Sequence, residues 1–72
     1  MVGERVKEVR LKQGLSLEQL HDLILEVTQL DISQPTLSRI ERQERSVYDF
    51  EVAAFARVLK VDAGWLLGLT NE

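Results

Sequence analysis

Cysteine is absent and histidine occurs once, as His21. Without cysteine there is no disulfide framework and no thiolate-ligated zinc or iron–sulfur centre. A lone histidine with no partner at ligand spacing excludes a histidine-built metal site; His21 reads as a packed or half-exposed helix residue. No apolar run approaches the ~20 residues that cross a membrane. Met1-Val2-Gly3-Glu4-Arg5 lacks the apolar stretch of a secretory signal, so a cytoplasmic protein is expected. Glycine-rich phosphate loops are missing, and the acids and hydroxyls form no recognisable triad or carboxylate pair. No catalytic residue, no metal and no cofactor is therefore expected. There is also no alternating strand pattern and no internal repeat.

What is present suits one small domain: 72 residues, 44% of them hydrophobic. The formal net charge of −3 argues against nucleic-acid binding as a property of the whole chain. Its distribution says more. Arg5, Lys7, Arg10 and Lys12 lie in the first segment. No Lys or Arg follows until Arg39, whereas Glu18, Asp22, Glu26 and Asp31 do; Arg39, Arg42 and Arg45 come next. Two basic segments thus flank an acidic middle, and folding can gather the basic ones on one side.

Periodicity and caps predict five short helices. Residues 3–13 form the first, because Val2, Val6 and Val9 make one stripe and Gly14 suits the left-handed position that ends a helix. Ser16 opens the second, with Gln19 completing a capping box. Its core stripe is Leu17, Leu20, Ile24 and Val27, widened by Leu23 and Leu30, and it ends at about residue 27 or 28. The third spans about 33–42. Ser33 is its N-cap, and Pro35 falls in the first turn, where a missing N–H costs nothing. Leu37 and Ile40 share its buried side. Gln34, Ser38 and Arg39 are left to point elsewhere; a buried helix would not carry three such side chains, and a merely solvated one more often carries Lys and Glu. The fourth begins near Asp49, a cap or first-turn acid. It buries Val52, Phe55, Ala56 and Leu59, and Ala53, Ala54 and Ala56 permit close helix contact. The fifth runs from Asp62, its N-cap, to Leu67, with Gly68 as stop. The expected architecture is all-α, five helices around one core in residues 1–69, with a tail at 70–72.

The segment Ser33-Gln34-Pro35-Thr36-Leu37-Ser38-Arg39-Ile40-Glu41 resembles the recognition helix of the phage-repressor, Cro-like (XRE) helix-turn-helix family. The likeness extends over residues 2–68. Arg5-Val6, Arg10 and Gly14-Leu15-Ser16 resemble helix 1 and its exit, Leu20 and Ile24 helix 2, Phe55-Ala56, Leu59, Val61-Asp62 and Trp65-Leu66-Leu67-Gly68 the last two helices. The ordered set is specific where no single piece is. Three departures stand out. The span from Ser16 to Ile32 exceeds the family's usual length by roughly two helical turns, so helix 2 is extended or the turn after it enlarged. In this it resembles a bacterial subgroup with a Val-x-Asp-x-Glu run, here Val47-Tyr48-Asp49-Phe50-Glu51. Leu17 stands where many members place a phosphate-contacting Gln. His21 stands where Ala usually lets helices 2 and 3 approach, so either the crossing is wider or His21 points aside.

The resemblance implies a lambda-repressor-like domain that binds double-stranded DNA, with helix 3 in the major groove, as a transcriptional regulator, a repressor, of a bacterium or phage. A groove-entering helix needs donors and acceptors at its N-terminal end. Gln34 can donate and accept at once, which suits adenine N6 and N7. Arg39 can take guanine bidentately or grip a phosphate. Ser38 can do either weakly, and Pro35 and Thr36 offer apolar surface to a thymine methyl. Ser33, Arg42 and Arg45 are the expected phosphate contacts, although Arg42 and Arg45 alternate with Glu41 and Glu44 and have self-neutralisation as a rival role. By the same resemblance Arg10 and Glu41 form a partly buried structural ion pair. A lone module this small covers little DNA, so a homodimer on a two-fold operator is expected, with helix 5 (Leu66, Leu67, Leu69) as its candidate surface. Trp65 is read as core, with an interface role as the alternative. The competing reading is a protein-interaction module on the same fold, docking a partner at Glu18, Asp22 and Glu26.

Overall fold

The computed structural model describes residues 2–69; Met1 and the expected tail at 70–72 lie outside the described residues. The chain forms α1 (Val2–Lys12), α2 (Leu17–Thr28), α3 (Gln34–Glu41), α4 (Asp49–Leu59) and α5 (Ala63–Leu66), and the described residues contain no strand. Every helix sends at least one fully buried side chain to a single core: Val6 from α1, Leu20 and Ile24 from α2, Leu37 and Ile40 from α3, Phe55 and Leu59 from α4, Leu66 from α5. The short α3 is gripped by α1 and α2, while α4 packs on α1, α2 and α5. This burial, rather than intrinsic propensity, stabilises an eight-residue helix that would melt in isolation.

Local chemistry sets where each helix starts and stops. Ser16 caps α2 by accepting from the Gln19 amide at 3.0 Å, and the Gln19 side chain accepts from the Ser16 amide at 2.8 Å. Asp62 caps α5 by accepting from the Trp65 amide. The left-handed Gly14, φ 70°, closes α1: the Leu15 amide reaches Arg10 O and the Gly14 amide reaches Leu11 O. Gln43 does the same for α3 at φ 62°, with Glu44 donating to Arg39 O.

Three buried positions differ from expectation. Val27 is largely outside the core, because the inward stripe of α2 continues from Ile24 to Thr28, one full i, i+4 step, and not to Val27. Thr28 tolerates that half-buried place by donating its hydroxyl to Ile24 O at 2.7 Å. On α4 Ala54 is buried and Ala53 exposed. Leu66 is fully buried, which removes it from any surface role, whereas Leu67 and Leu69 stay exposed. Trp65 is half-buried: it packs on the edge of the core, the Arg5 guanidinium lies over its ring at 4.8 Å, and Arg5 donates to the Trp65 carbonyl.

Candidate nucleic-acid interface

α3 separates its two faces cleanly. Leu37 and Ile40 are fully buried, and Gln34, Pro35 and Arg39 are exposed on the other side. Ser33 caps the helix: its Oγ accepts from the Thr36 amide at 3.3 Å and pairs with Thr36 Oγ1 at 2.9 Å. The cap leaves Thr36 half-buried and occupies the hydroxyls of both residues. Gln34 and Arg39 make no side-chain hydrogen bond within the described residues, so two versatile hydrogen-bonding groups stand ready on the face that the core does not use.

Arg42 and Arg45, the cations that directly follow α3, are engaged within the fold, and unequally. Arg42 Nη1 donates to Ser38 Oγ at 2.9 Å, while Nε and Nη2 donate to Glu44 at 3.1 and 3.4 Å. Both partners of the Arg42–Glu44 pair are more than half exposed. Such a pair contributes at most about 1 kcal/mol, and Arg42 can exchange it for a phosphate at little cost. Arg45, expected at a phosphate, is held far more firmly. Its two terminal nitrogens donate to the two oxygens of Glu51, each at 2.9 Å, one of them also to Ser46 O, and its guanidinium lies 5.0 Å from the Tyr48 ring centroid. Its first task is to pin the α3–α4 connection to the start of α4.

Glu51 is the site residue whose role the sequence reading left unassigned. Only 3% of it is exposed. Besides Arg45, its carboxylate accepts from the Tyr48 amide at 2.9 Å, which is the return half of a capping box at the α4 N-terminus. The last position of the Val47-Tyr48-Asp49-Phe50-Glu51 run thereby gains a physical reason: it is the N3 acid of α4, a signal readable from its spacing to the cap. Burial pushes the Glu51 carboxyl up, but the Arg45 guanidinium and the Tyr48 amide pull it down, and the net value lies below the ordinary carboxylate one. A depressed native value contributes stability that is complete above the ordinary pKa of about 4.3 and is lost as pH falls through the lowered native value. Glu51→Gln is therefore expected to melt below the wild type at pH 7, with the gap closing as the pH falls below about 4. Thermal melts across that range check this; a gap independent of pH would contradict it.

Arg10 and Glu41 bind α1 to the end of α3. Arg10 Nε and Nη2 donate to the two Glu41 oxygens at 2.6 and 2.9 Å, and Nη1 donates to Leu15 O at 2.7 Å. Each residue is 8% exposed. The hydrogen bonds to Glu41 hold the guanidinium above even its ordinary high pKa. Nearby, Gly3 lets the two backbones touch: a Cβ there would stand 1.8 Å from Ile40 O.

The span between Ser16 and Ile32 is taken up by a twelve-residue α2 and a turn at 29–33. His21 meets the backbone of the turn that leads into α3: its Nδ1 lies 2.7 Å from Ile32 O. Leu17 is half-buried and packs against the core. Glu18, Asp22 and Glu26 are all exposed, four residues apart along one outer stripe of α2. Among the described residues no helix is long and apolar enough to cross a membrane.

The sequence matches the family described as helix-turn-helix over residues 6–66, most of the chain. No curated protein and no solved structure matches it.

Proposed function

We propose that this chain, which belongs to the phage-repressor, Cro-like (XRE) helix-turn-helix family of DNA-binding regulators, acts as a repressor that reads a two-fold operator by laying α3 in the major groove. The family is a DNA-binding one and not an enzyme family. The observation that carries the reading is the divided α3, with Leu37 and Ile40 wholly in the core and Gln34 and Arg39 exposed and uncommitted. Gln34, at the first position of α3, suits adenine, and Arg39 suits guanine. Pro35 and Thr36 supply apolar surface beside them, and Ser38 adds a hydroxyl. Arg42 takes a phosphate, with the backbone amide of Gln34 at the α3 N-terminus, and Ser33 joins them only where its hydroxyl turns from its pairing with Thr36. Arg45 joins them only to the extent that Glu51 releases it.

A homodimer fits this reading. The domain measures 28 × 23 × 23 Å, so two copies side by side can serve successive major grooves about 34 Å apart. Leu67 and Leu69 are its candidate contacts. A cytoplasmic setting in a bacterium or a phage host follows from the same reading. Arg39→Ala is expected to weaken operator binding by about 1–3 kcal/mol and to relax the preference at one base pair. Titration against operator variants checks it; unchanged affinity and preference would take Arg39 out of the interface.

The exposed carboxylates of Glu18, Asp22 and Glu26 favour a second role, in which α2 receives a protein partner while α3 holds DNA. Reversing the three charges is the test. Loss of a captured partner with operator binding intact supports the role, and no change in either leaves the acids as a solvated face.

A further inference from the structure

We infer that His21 is a positioning residue for the recognition helix: its imidazole ties the turn after α2 and so sets how the first turn of α3 meets DNA. The inference rests on the DNA-binding reading of α3. It starts from the 2.7 Å distance between His21 Nδ1 and Ile32 O. A carbonyl oxygen only accepts, so Nδ1 must carry the hydrogen. Both the Nδ1–H neutral tautomer and the imidazolium meet that condition. The tie therefore does not depend on whether Nε2, 4.0 Å from Asp31 Oδ1, is protonated.

The position of the tie decides its meaning. Ile32 precedes the cap residue Ser33, and its carbonyl lies outside the α3 ladder. The rest of the turn is held by other means. Ile32 is buried in the core and Leu30 packs against it, while the Leu30 amide donates to Thr28 Oγ1 at 3.3 Å. Side-chain anchors in an apolar core tolerate a small slide. A directional hydrogen bond from α2 to the backbone one residue ahead of the cap does not. Base readout demands that supporting groups hold the reading side chains to about half an ångström, and Gln34 is only two residues beyond Ile32. Five residues separate α2 from α3, and His21, reaching eleven residues forward, ties the last part of that turn back to α2.

The test compares His21→Leu, which keeps bulk and removes the donor, with His21→Asn, whose amide nitrogen stands near the place of Nδ1. Each is titrated, beside the wild type, on the operator and on a non-specific duplex at one salt concentration, and amide hydrogen exchange is followed over residues 30–37. The expected result is an operator affinity lower by about tenfold for His21→Leu and within roughly threefold of wild type for His21→Asn. Non-specific binding should be equal in all three, and exchange in the turn faster in His21→Leu alone. Wild-type operator affinity in His21→Leu would overturn the inference, as would operator and non-specific affinity falling together. A wild type that prefers no operator would overturn the DNA-binding reading itself, and with it the inference.

Discussion

Glu41→Ala is expected to remove about 3–5 kcal/mol of stability. A domain of 72 residues has roughly 4–11 kcal/mol in all, so the variant is left near the edge of folding. The loss arises from the partner left behind. The Arg10 guanidinium, 8% exposed, would keep the Leu15 carbonyl and lose both Glu41 oxygens. A buried cation with two donors unmet either draws water into the α1–α3 seam or forces the helices apart. At about 4–8 °C per kcal/mol for a domain of this size, the melting midpoint should fall by on the order of 20 °C. Replacing both partners, as Arg10→Met with Glu41→Leu, should recover most of it, since apolar pairs of similar volume are often neutral or better. The Leu15 carbonyl would stay unpaired, at about 1 kcal/mol. Urea and thermal melts followed by circular dichroism decide: a single variant within about 1 kcal/mol of wild type would show that the pair is solvated. DNA binding lost in Glu41→Ala would report unfolding and say nothing about contacts.

Gly3→Ala should cost about 2–3 kcal/mol, although alanine is the better helix former by about 1 kcal/mol. The reversal of sign is the point of the prediction. An added Cβ would lie 1.8 Å from Ile40 O and 2.7 Å from its carbonyl carbon. Both are backbone atoms of α3, so no side-chain rotation relieves the clash, and the first turn of α1 must lift. Gly14 is the control. A Cβ there meets nothing within 4 Å, and the penalty for alanine is only that of φ 70°, about 1–2 kcal/mol. Chemical denaturation of both variants separates the causes. A stabilised Gly3→Ala would mean that α1 frays away from α3 at its N-terminus.

The sequence told most where its signal was local. Ser16 with Gln19, Ser33 before Pro35, and Gly14 fixed helix ends through chemistry confined to four residues, and all three stand where the caps and turns require. Stripes at 3.6-residue spacing pointed to the core, with Val27 wrongly included because the stripe rotates onto Thr28 in the last turn of α2. What stayed illegible was pairing across distance. Nothing in composition joins His21 to the Ile32 carbonyl, because a backbone acceptor carries no sequence mark. Arg45 lay among other arginines and looked like a phosphate contact; its partner, Glu51, was hidden in a run read for resemblance and not for capping. Close approach at Gly3 was hidden for the same reason, since it depends on where α3 passes.

The central claim, that α3 reads a two-fold operator, is tested most directly by selecting from a pool of random duplexes with the 72-residue chain at two salt concentrations. The expected result is enrichment of a palindromic motif with half-sites about one helical turn apart and an affinity that falls steeply with salt. No enrichment, together with weak binding indifferent to salt, would contradict the account: the net charge of −3 would then outweigh the basic residues around α3, and the acidic stripe of α2 would become the surface to pursue.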